Sequence, residues 1–291
     1  MIIDAHTHLW KKQNGFVNGK QVFSLENGKS NFGGEIRQMM PPYMINGANT
    51  ADMLIANMDY AGVNGAVITQ EEIDGNQDDY LLNAKAEYSD RLKICSLYEE
   101  NKPFETDGFD GIKICAGRLP SQDLTKHYKV FETAEKNSMF ISIDMADGDL
   151  QTKSLLEMIQ QYPDLRIAIG HFGMVTRKNW KEQIKLARNK NVFIESGGIT
   201  WLFNSEFYPF PSAVQAINEA AEICDFDKLM WGSDYPRTMV EITYKMSFDF
   251  MLKSKEISDT DKEKFLFKNA KAFFAFDVFD EIMPLKNMLE D

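Results

Sequence analysis

This sequence predicts an α/β fold, a single-domain (β/α)8 barrel of the TIM type. Three observations point to it. Short apolar runs rich in β-branched residues alternate about eight times with longer stretches of helical period. The chain has 291 residues, a length at which eight strand–helix units close into one barrel. No GxGxxG follows the first strand, where an open doubly wound sheet would carry its phosphate loop.

The strands are expected at Ile2–Thr7, Gly65–Gln70, Leu92–Leu97, Gly111–Cys115, Met139–Ile143, Arg166–Gly170, Asn191–Glu195 and Lys228–Gly232. Several are unbroken apolar runs, as in parallel strands covered on both faces. Helices are expected at Thr50–Ala61, Ser154–Tyr162, Lys178–Asn189 and Ser212–Cys224, with Thr50 and Ser154 as N-caps and Gly62 just past its helix. Residues 11–49 break the rhythm: they hold many Gly and Asn, the run Met39-Met40-Pro41-Pro42 and no clear period. A connection of that length in a compact domain is functional or disordered. Because it leaves the C-terminal end of the first strand, it is expected to form a partial lid, the alternative being a surface excursion without function. Residues 240–291 are expected to be helical, with the aromatic stretch Phe265–Phe276 packed against the barrel wall. One domain then spans residues 1–291.

Hydrophobic residues make up 44% of the chain and aromatics 12%, enough for a large core without disulfides. The three cysteines, Cys95, Cys115 and Cys224, are scattered and form no CxxC pair, which fits a reducing compartment. The start MIIDAHTH puts Asp and two His where a secretory leader needs apolar residues. No run reaches the roughly 18 apolar residues of a membrane span. A cytoplasmic location is therefore expected. The net charge of −12 argues against nucleic acid and anionic membrane as partners. An anionic small substrate would need a local cluster of Arg or Lys. A homo-oligomer is compatible with the sequence.

Only four histidines are present, so their places carry information. His6 and His8 sit two apart at the end of the first strand and project from one face. They either converge on one divalent ion or stack as core imidazoles. Asp4 shares their parity one step deeper and either fixes a histidine tautomer or serves a structural hydrogen bond. His171 ends the apolar run RIAIG of the sixth strand, and Asp234 lies in KLMWGSDYPR at the end of the eighth. A carboxylate there either binds the metal and takes a proton from water or caps the turn before Pro236. His127, in LTKHYKVF, reads as a helical surface or packing residue.

IIDAHTH, RIAIGHFG, MWGSDYPR and FKNAKAFF, in this order over residues 2–276, resemble the amidohydrolase-related family, in the branch of aminocarboxymuconate-semialdehyde decarboxylase, resorcylate-type decarboxylases and sugar or pyrone lactonases. The resemblance implies that His6, His8 and Asp234 are metal ligands and that His171 is an acid/base or carbonyl polariser. The chain departs from the family at the fifth strand, MFISIDMADGD. Asp144 stands there in place of the metal-binding histidine of decarboxylase-type members, either as an oxygen ligand or as a structural residue. Some lactonase-type members also lack that histidine. Lys113 holds the fourth-strand position at which two-metal members of the superfamily carry a carboxylated lysine. With the fifth-strand histidine missing, one metal is expected, Zn before Mn, and Lys113 either contacts substrate or closes a buried ion pair.

For the substrate, Arg118 and Arg237 near the rim are candidates to fork onto a carboxylate. Trp10, Trp201 and Tyr235 are candidate pocket walls, and Glu195 a partner for a polar group. The expected activity is hydrolysis of a small carboxylated lactone or amide through metal-activated water. The alternatives are non-oxidative decarboxylation of an aromatic or unsaturated acid, a metal-free lactonase, and an inactive barrel that binds a ligand.

Overall fold

The computed structural model describes residues 1–283, 286 and 288. Eight parallel strands run in sequence order around one sheet: Ile3–Thr7, Gly65–Ile68, Leu92–Tyr98, Gly111–Ile114, Phe140–Ile143, Arg166–Ile169, Val192–Glu195 and Leu229–Met230. Each matches an expected strand to within a few end residues. The first strand meets the eighth through Ala5 N–H to Trp231 O at 2.9 Å, Asp234 N–H to His6 O at 2.9 Å and His8 N–H to Tyr235 O at 2.9 Å. These bonds close the barrel. Among the described residues no helix is long and apolar enough to cross a membrane.

Outward-facing Ile68, Ile94, Ile112, Ile141, Ile167 and Ile194 pack under the helices in one continuous core. The helix Ala51–Ala61 starts and stops as expected: Thr50 Oγ1 accepts from Met53 N–H, and Gly62 takes a left-handed φ of 76°. Ser154 is not a cap, because its helix begins earlier, at Thr152. Gln151 precedes it and turns its side chain inward, accepting from Ala146 N–H at 2.7 Å and donating to Ala116 O at 2.9 Å. His127 is buried at the end of a 3-10 turn, between Tyr98 Oη and the Ser121 carbonyl.

Inside the barrel, Ile3, Ala5, Val67, Cys95, Phe140, Ala168 and Met230 meet Phe273 and Phe274 of the helix Asn269–Phe274. The Phe140 and Phe274 ring centroids stand 4.8 Å apart, edge to face, so aromatic packing plugs the barrel at the end opposite His8. The helical expectation for residues 240–291 holds only as far as Phe274. Ala275 turns left-handed at φ 55°, and the described residues beyond it carry no helix. Positions 284, 285, 287 and 289–291 lie outside the described residues.

The first strand contains a bulge. Asp4 stands opposite Ala66 and Thr7 opposite Ile68, so two residues, Ala5 and His6, face the single Val67. The extra residue shifts the alternation, and Ile3, Ala5, His6 and His8 all turn inward while Asp4 turns out. Asp4 therefore does not share the histidines' face. Its Oδ1 accepts from Ser233 N–H at 2.8 Å, and its Oδ2 from Tyr244 Oη at 2.7 Å. Burial drives its carboxyl up to about 6 even with these donors.

The excursion after the first strand is ordered, contrary to its aperiodic sequence. Strands Asn14–Val17, Lys20–Ser24, Lys29–Phe32 and Glu35–Gln38 form an antiparallel meander in chain order. Its two ends are joined by an antiparallel bridge, Trp10 N–H to Asn49 O at 2.8 Å and Asn49 N–H to Trp10 O at 2.9 Å. Trp10, Met40 and Met44 make a small core of their own. The meander is tied to the barrel by Ser30 Oγ donating to Gln13 Oε1 at 2.6 Å and Gln13 Nε2 donating to Asp74 Oδ1 at 2.8 Å.

Tyr244→Phe strips a donor from a buried carboxylate. The expected cost is about 1–3 kcal/mol, seen as a lower urea midpoint with unchanged slope.

Candidate metal centre

Three side chains converge where the first strand meets the eighth. His6 Nε2 lies 3.1 Å from His8 Nε2. Asp234 Oδ1 lies 2.9 Å from His8 Nε2 and 3.9 Å from His6 Nε2. The other ring nitrogen of His6 faces Glu195 Oε1 at 2.6 Å. Next to a carboxylate Nδ1 must donate, which leaves the lone pair of His6 on Nε2 and aims it at the shared point. Asp234 is fixed from behind by Trp201 Nε1, which donates to Oδ2 at 2.9 Å.

This donor set fits a divalent cation. Ligands about 2.0–2.2 Å from a zinc ion stand roughly 3.0–3.5 Å from one another, and the observed spacings bracket that range. Burial, then the charge of Arg237, lowers His8 to about 3, so its imidazole is neutral, as a metal ligand requires. Burial opposes ionisation of Asp234, but His8 and Arg237 hold it well below the ordinary carboxylate range. Two imidazole nitrogens and a carboxylate oxygen thus crowd one point, an arrangement that a shared cation satisfies. His8 Nδ1 is itself buried without a hydrogen bond, its nearest carboxylate being Asp74 Oδ2 at 3.9 Å.

A second group adjoins the first through His6. Asp144, His6 and His171 also offer donor atoms within 4.8 Å of one another. Here Lys113 Nζ lies 2.7 Å from Asp144 Oδ2, and His171 Nε2 lies 3.4 Å from the same oxygen. Burial would raise the Asp144 carboxyl, but Lys113 and then His171 hold it well below its usual range. Burial would lower His171, but Asp144 outweighs it and pushes the imidazole up to about 10. His171 Nδ1 meets the Gly197 carbonyl at 2.8 Å, and its backbone N–H donates to Glu195 Oε1 at 3.2 Å.

Two strand-end glycines make room for this crowding. A Cβ on Gly170 would stand 2.2 Å from Asp144 Oδ1, and one on Gly232 would stand 2.6 Å from Glu195 Oε2. Gly170 before His171, and Gly232 before Ser233 and Asp234, are thus positions where a side chain would collide with the site's carboxylates. His171 at φ 54° and Asp234 at φ 59° are both left-handed, a conformation kept only where the surroundings enforce it.

The centre opens into a cavity of about 890 Å³ whose walls include Asp234, His171, Asp144, Arg118, Arg237 and Trp201. The amidohydrolase family model matches residues 3–276. The chain belongs to the amidohydrolase family. No curated protein matches it. Among solved structures, the probable 2-pyrone-4,6-dicarboxylic acid hydrolase of Acinetobacter baumannii, with citric acid bound, has 20% identity and a TM-score of 0.67 over 94% of this chain and 99% of its own. An amidohydrolase from Burkholderia multivorans with bound zinc has 12% identity and a TM-score of 0.69 over 95% and 100%. A 5-carboxyvanillate decarboxylase from Novosphingobium aromaticivorans, complexed with manganese, has 18% identity and a TM-score of 0.55 over 76% and 79%. At such identities the likeness speaks for the amidohydrolase fold.

Of the residues singled out in the sequence, His6, His8 and Asp234 share one point, and Asp144, His171 and Lys113 form the adjoining group. Lys113 is fully buried and closes an ion pair. Arg118 and Arg237 line the cavity, but each already has a carboxylate: Glu71 at 3.1 Å, and Asp74 at 2.6 and 2.8 Å. Trp10 does not line the cavity. Its ring is buried under the meander, its Nε1 donates to Gly47 O at 2.9 Å, and it supports the Arg237 guanidinium 5.7 Å from its centroid. Tyr235 is likewise buried, packed edge to face on Tyr244, whereas Trp201 is a true wall. Glu195 serves His6 rather than open space. Sequence reasoning missed Arg37, Glu71 and Asp74. The acidic run QEEID after the second strand was the available signal for the last two.

Lys113→Met leaves Asp144 without its counter-ion. The expected loss is about 3 kcal/mol, with part of it recovered in Lys113→Met/Asp144→Leu, as read by urea unfolding of both variants.

Proposed function

We propose that this chain is a metal-dependent hydrolase that opens a small carboxylated lactone or amide. The observation that carries the reading is the convergence of His6 Nε2, His8 Nε2 and Asp234 Oδ1 on one point beside an arginine-bearing cavity. One cation is proposed, zinc or manganese. The Lys113 ammonium already sits on Asp144 and places a fixed positive charge where a second ion would need the His6, Asp144 and His171 donors. A divalent ion, when bound, would polarise a substrate carbonyl and make a water acidic enough to react near neutral pH.

The chain's own residues supply the rest. Asp234 takes the proton of the attacking water as the new C–O bond forms. His171 faces the cavity with Nδ1 committed to the Gly197 carbonyl, so Nε2 is the nitrogen that gives a proton to the departing alkoxide or amine as the ring bond breaks. The sum is one water consumed and one carboxylic acid formed. Arg237 has a buried Nη1 without a hydrogen-bond partner, 3.7 Å from Asp234 Oδ1, and this donor holds a substrate carboxylate close to the reacting centre.

A panel of carboxylated lactones and aromatic acids, followed by acid release and by CO2, tests the assignment. Ring opening with one proton released per turnover is expected, and CO2 release in its place would make the enzyme a decarboxylase. Asp234→Asn is expected to lower kcat roughly 10²–10⁴-fold with unaltered circular dichroism, and unchanged turnover would remove Asp234 from the mechanism. Glu195→Gln should weaken zinc binding about 10–100-fold in competition with a chromophoric chelator, because His6 loses the partner that sets its tautomer.

A further inference from the structure

The meander places an arginine over the cavity that no barrel strand supplies. Side chains alternate between its two faces. Val22 and Ser30 are fully buried toward the barrel. Their cross-strand partners, Phe32 opposite Val22 and Arg37 opposite Ser30, share that inner face, and both line the cavity. The Arg37 guanidinium lies over the Phe32 ring, 4.5 Å from its centroid, so a neighbouring side chain steadies it.

Arg37 differs from the other cavity arginines in its partner. Arg118 and Arg237 face the buried carboxylates of Glu71 and Asp74. Arg37 faces Glu35, two residues away on the same edge strand, with side chains 48% and 66% exposed. An exposed pair of this kind is weak, so Arg37 can leave Glu35 for an incoming anion without stranding a buried charge. The meander itself is held in place by the Ser30–Gln13–Asp74 hydrogen bonds and by the bridge at its neck. The donor therefore stands at a fixed post.

We propose that Arg37 recognises a second anionic group on the substrate, so that the substrate class is a small dicarboxylate held by Arg237 beside the reacting carbon and by Arg37 at the far end. This rests on the reading of the cavity as the substrate site. The cavity of about 890 Å³ has room for a molecule larger than a single-ring monoacid, and in a chain of net charge −12 such a dianion needs dedicated cations.

The test is calorimetric titration of the zinc-supplemented protein with α,ω-dicarboxylates from succinate to pimelate, against monocarboxylates of equal length. At least one dicarboxylate should bind tenfold or more tighter than its monocarboxylate partner. Arg37→Met should abolish that preference while leaving the monocarboxylate affinity within twofold, and Arg37→Lys should restore part of it. No preference in the wild type for any chain length, or a preference that survives Arg37→Met, overturns the proposal. These titrations read binding alone. A protein that shows the preference yet opens no lactone would lose the hydrolase assignment and keep this one.

Discussion

The hydrogen bonds from Asp234 N–H to the His6 carbonyl and from His8 N–H to the Tyr235 carbonyl close the barrel, and they also build its site. They bring together side chains 226 residues apart and set the backbone that carries two imidazoles against the backbone that carries the carboxylate. The bulge at Ala5 and His6 completes the arrangement. Without the extra residue, strict alternation would send the histidines outward with Ile3 and Ala5 inside. Asp4 anchors the same seam from the outer side through Ser233 and Tyr244.

Charge is handled locally. The chain is acidic, yet these rim cations each have a carboxylate at hand: the buried Lys113 with Asp144, the more exposed Arg118 with Glu71, and Arg237 with Asp74. These pairs hold the side chains in single orientations at a site where an unpaired charge would be costly. They also confine unspent hydrogen-bonding capacity to a few atoms, Arg237 Nη1 and His8 Nδ1 among them.

The strands were legible because buried parallel strands are short apolar runs, and the cap pair Thr50 and Gly62 was legible because capping is local chemistry. His6, His8, His171 and Asp234 could be placed on one rim because each ends a strand. The partnership of His6 with Glu195 could not be read, since it depends on how strands 189 residues apart meet across the barrel. The structural hydrogen bonds of Asp4 fit one of its two sequence readings, but the face it occupies is not legible, because parity breaks at a bulge that only strand pairing reveals. The meander was missed for a different reason. Its turns Asn18-Gly19 and Gly33-Gly34, both with positive φ at each residue, are hairpin signals, and the strands between them are too short to show a period.

The bridge between Trp10 and Asn49 has a consequence for how such a chain can change. Because the meander enters and leaves the barrel at adjacent points and carries its own small core, its removal would leave a gap that a short turn could span. The cavity wall that the meander supplies is thus an exchangeable cassette. A lineage can rewrite it by insertion, loss or drift while the closure seam and its donors stay as they are.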